Sequence, residues 1–174
     1  FINQTWEHKL DEPDTNYYTF TTGDWVIETL YSSGSVGSHS SIVVDSNGSP
    51  HISYLDSSNG DLKYAFHNGT SWNQVTVDNA SGGTQYYPII SLALDSNDYP
   101  HIAYYDGTND DLKYAVYDGS SWSISAIDQT GDVGECPSIA MDSNDKAHIS
   151  YYDGTNDDLK YATNNGGSWT TSTV

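Results

Sequence analysis

The sequence predicts an all-β protein, a β-propeller of four-stranded antiparallel blades, and three observations carry that prediction. The first is a repeat: "HIAYYDGTNDDLKYA" at 101–115 returns as "HISYYDGTNDDLKYA" at 148–162, with a looser copy, "HISYLDSSNGDLKYA", at 51–65. The second is phase. Trp25, Trp72, Trp122 and Trp169 follow at steps of 47, 50 and 47, and His51, His101 and His148 keep the last two of those steps. A period of about 40 to 50 residues with short strands is that of a propeller blade. The third is composition. Fifteen Tyr and five Trp supply apolar bulk suited to half-buried pleated surfaces, and abundant Ser, Thr, Asn, Asp and Gly supply turns.

Each unit resolves into four strands. Strand A runs over 41–45, 90–95 and 138–142 and closes on Asp-Ser-Asn, a hairpin turn sequence. Strand B is His-Ile-x-Tyr-x-Asp. A turn at 57–60, 107–110 or 154–157 leads to strand C, Asp-Leu-Lys-Tyr-Ala, and a further turn leads through Trp72, Trp122 or Trp169 into strand D. Small residues in strand A, Ser91, Ala93 and Ala140, suit the crowded axis of a propeller, so strand A is expected innermost. The loops from D to the next A, 79–88 and 129–137, are longer, rich in Gly and closed by Pro88 and Pro137.

The expected organisation is a degenerate partial blade at 1–40 and full blades at 41–88, 89–137 and 138–174, about 3.75 blades in all. In the partial blade, 6–11 stands for strand B, 16–20 for C and 24–30 for D, with no recognisable strand A. An incomplete blade exposes an edge, so the propeller is expected to be a small four-bladed ring, part of a longer chain, or completed by other copies.

The formal charge is −19, from 24 acidic residues against five lysines and no arginine. Nucleic acid and anionic membrane are poor partners for such a chain. No run of about 18 apolar residues occurs, so membrane insertion is not expected of this stretch. The charge favours a cation-containing medium, and the sequons at Asn3, Asn47, Asn68 and Asn79 agree with an extracellular or cell-surface glycoprotein. Cys136 is the sole cysteine, so no internal disulfide forms.

The turns from C to D read Gly69-Thr70-Ser71-Trp72, Gly119-Ser120-Ser121-Trp122 and Gly166-Gly167-Ser168-Trp169. They resemble the Gly-x-Ser/Thr-Trp end of the Asp-box in the corresponding hairpin of sialidase-like (BNR-type) propellers. The resemblance spans the three full blades and departs from the box at its aspartate, replaced by His67, Tyr117 and Asn164. Sialidases hold their substrate carboxylate with arginines, and this chain has none, so the resemblance implies a fold and not that activity.

Residues repeated in every unit read as scaffold. His51, His101 and His148 are expected to hydrogen-bond within their own blades rather than to form a ring of metal ligands, because chemistry is done once and repeats serve every unit. Tyr54, Tyr104 and Tyr151, with Tyr64, Tyr114 and Tyr161, read as blade-to-blade packing, and Leu55, Tyr105 and Tyr152 as a surface platform.

In an up-and-down blade the turns from B to C and the loops from D to A share one face. The turns 106–111 and 153–158 place hard oxygen ligands close together, so Asp106, Asn109, Asp111, Asp153, Asn156 and Asp158 are candidate Ca²⁺ ligands. The same face carries Tyr86, Tyr87 and Glu135, which with Tyr105 and Tyr152 are the candidate ligand-binding residues. No Gly-x-Ser-x-Gly elbow or Cys–His pairing occurs, and no carboxylate pair stands out by spacing. The expected function is therefore a non-enzymatic binding or adhesion module for glycans or another cell-surface ligand. A structural subunit of a surface layer, sheath or filament is the alternative, and a glycan-cleaving enzyme fragment a third reading.

Overall fold

The computed structural model describes residues 27–79, 90–165 and 167–174. Twelve strands form three four-stranded antiparallel sheets, and no helix occurs among the described residues. The first blade is β1 (Val36–Val44), β2 (Pro50–Asp56), β3 (Asp61–His67) and β4 (Trp72–Asp78). The second is β5 (Ile90–Leu94), β6 (Pro100–Asp106), β7 (Asp111–Tyr117) and β8 (Trp122–Asp128). The third is β9 (Val133–Met141), β10 (Ala147–Asp153), β11 (Asp158–Thr163) and β12 (Thr170–Thr173). Each blade is a meander with its strands in chain order, as the propeller prediction requires.

Local chemistry explains the meander. Asp45, Asp95 and Asp142 close the first hairpin of each blade by accepting backbone N–H groups two and four residues on, from Asn47 and Ser49, Asn97 and Tyr99, Asn144 and Lys146. These side chains stand in for backbone acceptors and fix the turn. Inside each blade, the strand-B histidine meets the strand-C tyrosine: His51 Nδ1 with Tyr64, His101 Nδ1 with Tyr114, His148 Nδ1 with Tyr161. The repeated histidines thus hydrogen-bond within their own blades.

Strand A is innermost. β5 packs on β1 and β2, and β9 on β5, β6 and β7, while the last strand of each blade is largely exposed. Ser41 Oγ accepts Leu92 N at 3.1 Å, and Ser91 Oγ accepts Ile139 N at the same distance, so one contact is used at both junctions. The core lies between blades: Leu55, Leu62, Leu92, Ile102 and Tyr104 fill the first junction, and Leu112, Val133, Ile139, Ile149 and Tyr151 the second. Each such side chain contributes about 1.5 to 3 kcal/mol on burial.

Polar groups cross the same junctions. Lys113 Nζ reaches Asp78 of the preceding blade at 3.1 Å, and Tyr104 donates to the same carboxylate at 2.6 Å. Lys160 and Tyr151 hold Asp128 at 2.5 and 2.8 Å. The tryptophans also reach backwards. Trp122 stands edge-on to Tyr64 and Trp169 to Tyr114, with centroids 5.2 and 4.8 Å apart, so they are half-buried junction residues as much as parts of their own sheets.

Three expectations change in detail. Strand A starts at Val36 and Val133, five residues earlier than the hydrophobic run suggests, because register shifts let Gly37, His39, Gly134 and Cys136 adopt positive φ within a paired strand. The loop read over 129–137 accordingly ends at Asp132, and Cys136 lies in β9. Ile27 to Leu30, expected at the end of a strand, carry none. Residues 1–26, with most of the degenerate blade, and 80–89, with Tyr86 and Tyr87, lie outside the described residues.

Candidate functional site

The loop from the second blade to the third is laced to the strand B to C turns of both. Asp132 N donates to Thr155 Oγ1 at 2.7 Å, Gly154 N to Asp132 O at 2.8 Å, and Val133 N to Asp110 O at 3.0 Å. Gly131, at φ +89°, permits this approach, since a Cβ there would lie 2.4 Å from Thr155 Oγ1. The lacing brings Asp110, Asp132 and Glu135 together at one rim of the junction.

Tyr105 stands beneath them. Only 1% of it is exposed, and its hydroxyl lies 2.7 Å from Asp110 Oδ1 and 2.9 Å from Asp132 Oδ1. A phenol has one hydrogen, so it satisfies one of the two carboxylates at a time and leaves acceptor capacity on the other. Burial and the hydrogen bonds to Asp110 and Asp132 push the Tyr105 hydroxyl far above its ordinary pKa, which fixes it as a donor. Glu135 faces the same carboxylates. Burial, then Asp132 and Asp110, raise its pKa above the ordinary glutamate value. Tyr152 is the cross-strand partner of Glu135, is 36% exposed, and donates to Asp157 Oδ1 at 2.5 Å.

Of the residues expected to bind ligand, Tyr105 and Glu135 therefore meet at the second junction, with Tyr105 as a buried support, while Tyr152, cross-strand from the exposed Leu159 and next to the junction-facing Tyr151, lies on the opposite face of the third blade. The surface platform shrinks accordingly: Leu55 is also buried, at 3% exposure.

The turn residues expected to hold Ca²⁺ have partners within the protein. Asp106 accepts Thr108 N at 3.0 Å and Asn109 Nδ2 at 2.8 Å, and pairs with Lys113 at 2.8 Å. Burial would raise its pKa, but Lys113 and Asn109 outweigh burial and hold it below the ordinary carboxylate value. Asp153 accepts Thr155 N, Asn156 N and Asn156 Nδ2, with Lys160 at 3.6 Å. Asp111 accepts Gln129 Nε2 at 3.0 Å, and Asp158 pairs with Asp153 in the β10–β11 ladder. In both turns the asparagine amide is spent as a donor. Among the described residues no group of three or more His, Cys, Asp or Glu side chains is disposed to hold a metal ion.

Sequence reasoning did not single out Asp110, although a signal was present. Asp110 and Asp157 take left-handed φ of 60° and 59°, where the first blade has Gly60 at 72°. The residue five positions earlier is Tyr105 or Tyr152 where the turn ends in Asp, and Leu55 where it ends in Gly. Aspartate accepts the unfavourable backbone where its carboxylate has a tyrosine hydroxyl to receive.

Chemically the junction is an acceptor-rich rim. Burial and then Glu135 push the thiol of the exposed Cys136 above its ordinary pKa.

No protein-family model and no curated protein matches the chain. Among solved structures, a fucose lectin from Kordia zhangzhouensis in complex with methyl-fucoside matches at 21% identity, over 76% of this chain and 96% of the lectin, with a TM-score of 0.49. A polysaccharide lyase of family PL25, an ulvan lyase solved alone and bound to -[GlcA(1-4)Rha3S]-, matches at 20% identity and a TM-score of 0.55, over 75% of this chain. The chain spans 36% of the lyase's length. At such identity the likeness concerns the propeller fold alone, and the narrower sialidase-type resemblance gains no support from it.

Proposed function

We propose that the chain is a carbohydrate-binding propeller module acting outside the cell, which binds glycans without cleaving them. The observation that carries this reading is the junction rim where Asp110, Asp132 and Glu135 present acceptors above the buried Tyr105 hydroxyl. Vicinal sugar hydroxyls are donors that fit paired carboxylate oxygens. The rim carries no arginine and the chain carries −19, so neutral sugars are favoured over the acidic saccharide in the lyase complex. The extracellular location rests on that charge and on exposed sequon residues Asn47 and Asn68, in hairpins at the opposite face.

Calorimetric titration of the chain with a panel of neutral oligosaccharides tests the reading, with a parallel assay for released product. Saturable binding, weakened about tenfold by Asp132→Asn through loss of a charge-assisted hydrogen bond, is expected. Absence of binding across the panel, or release of product, overturns it.

A further inference from the structure

The three described blades end, in space, on two surfaces that match. At each internal junction a leucine of strand C is covered by the next blade: Leu62 is 1% exposed and Leu112 is fully buried. Their counterpart in the third blade, Leu159, is 55% exposed. On the other side, Leu92 and Ile139 of strand A are 7% and 8% exposed, while their counterpart in the first blade, Ile42, is 64% exposed. Val44 beside it is exposed as well.

The fit extends to backbone. Gly134 lies so close to Leu112 that a Cβ would stand 2.6 Å from Leu112 Cα, and only glycine fits there. β1 repeats this design, with Val36, Gly37 and a positive-φ His39 where β9 has Val133, Gly134 and a positive-φ Cys136. Yet Gly37 has nothing within 4 Å. The first blade thus carries a seat with no leucine in it, and the third a leucine with no seat. Among the described residues, Glu28 and Leu30 lie along β4 through Trp72 and Gln74, leaving β1 uncovered, and β9 makes no contact with β1 comparable to those joining β1 to β5 and β5 to β9.

We propose that β1 of one copy of this chain seats on β9, β10 and β11 of a second copy, by the operation that seats β5 on the first blade and β9 on the second. The contact is heterologous, joining head to tail, so it builds a closed ring or an open filament according to whether the rotation returns on itself. It uses the face of the third blade opposite the acceptor rim and covers Tyr152, whose counterparts Leu55 and Tyr105 are buried by the next blade. One internal feature is missing from it. Ser46 is stapled to Asp98 and Ser96 to Asp145 across the internal junctions, at 2.5 and 2.7 Å between side chains, but Gly48 stands where those aspartates stand. The junction between copies is therefore weaker than those within a chain, and association is reversible.

Sedimentation across a range of concentrations tests the proposal. The chain is expected to form species whose mass rises with concentration. Ile42→Asp and Leu159→Asp should each abolish association while leaving the melting temperature of the monomer unchanged, since both side chains are exposed within one copy. Mixing the two variants should restore a one-to-one complex, because each retains the surface the other lacks. Gly48→Asp should tighten association, by giving Ser143 of the adjoining copy the partner that Ser46 and Ser96 have. A monomer at every concentration overturns the proposal, as does a drop in melting temperature with Leu159→Asp in that monomer, which would mean that the same chain covers the face. Failure of the mixture to associate overturns the head-to-tail geometry.

Discussion

Lys160 in the third blade grips Asp128 at the end of the second, with Nζ 2.5 Å from Oδ2, and Tyr151 donates to the same oxygen at 2.8 Å. The pair is nearly enclosed, the side chains being 13% and 6% exposed. The preceding junction repeats it with Lys113, Tyr104 and Asp78. In a chain with five cations, two of them are committed to joining blades. Removing the acceptor leaves the Tyr151 hydroxyl without Asp128 and Lys160 with only the more distant Asp153, at 3.6 Å. Asp128→Ala should cost about 3 kcal/mol, and Asp128→Asn, which keeps an acceptor for Tyr151, should cost less. Urea unfolding with an unchanged m-value checks both.

The same carboxylates set the acid limit of stability. Burial raises the pKa of Asp128, but Lys160 and Tyr151 outweigh it and hold it below the ordinary value, and Asp106 behaves likewise through Lys113 and Asn109. A carboxylate with a folded pKa below its unfolded value adds stability that is present above the unfolded pKa and lost as pH falls through the folded one. Melting temperature should therefore fall below about pH 4. Asp128→Asn should flatten part of that decline, and an equally steep profile in the variant would remove Asp128 from the account.

Much of this fold is legible in the sequence because each blade repeats the same solution. The steps between tryptophans, the Asp-Ser-Asn turns and the His-x-x-Tyr-x-Asp strands mark strands B, C and the inner edge of D within a residue or two. What escapes is what happens between blades. Nothing local says that Trp122 packs on Tyr64 or that Lys160 reaches Asp128, since those contacts follow from stacking sheets some 32 to 58 residues apart. The start of strand A escapes for a different reason. Gly134 and Pro137 read as loop residues, yet they are bulge positions within β9, flanked by paired residues on both sides. At the candidate site, Glu135 was visible as a residue of a loop that differs between units, whereas the burial of Tyr105 depends on that loop from the next blade closing over it.

Trp122 offers a direct measure of how blades hold each other. It is half-buried and stands edge-on to Tyr64 at an interplanar angle of 69°. Trp122→Ala should cost about 3 kcal/mol, the lower end for a large aromatic because one side already meets solvent. Tyr64→Ala should cost less in the Trp122→Ala background than in the wild type. Additive losses in a double-mutant cycle would mean that the two rings do not interact.

Calcium and magnesium should act alike on this chain. The oxygens of Asp106 and Asp153 are already bound to turn N–H groups, asparagine amides and lysines, so an entering cation would have to displace Lys113 or Lys160. What remains for a divalent cation is screening of a net charge of −19, which depends on ionic strength more than on ion size. Melting temperatures in the two salts at matched ionic strength should coincide. A rise specific to Ca²⁺ would show that one of these turns opens to a metal.

His101 should start the loss of stability well before the carboxylates do. Its Nδ1 meets the Tyr114 hydroxyl, while its Nε2 is buried and 3.6 Å from Asp95 Oδ2, beyond hydrogen-bond reach. Burial lowers its pKa below the ordinary 6.5, and the Asp95 charge offsets only part of that. The folded chain thus keeps His101 neutral at a pH where the unfolded chain protonates it. Stability rises with pH wherever the unfolded state binds more protons, so it must decline as pH falls from about 6.5 toward the folded pKa. The wild type should show two stages of acid destabilisation, this one and the carboxylate stage below it. His101→Gln lacks the titrating group, so it should lose the first stage and keep the second, whatever its stability at neutral pH. A first stage of undiminished size in the variant would assign that titration to another group.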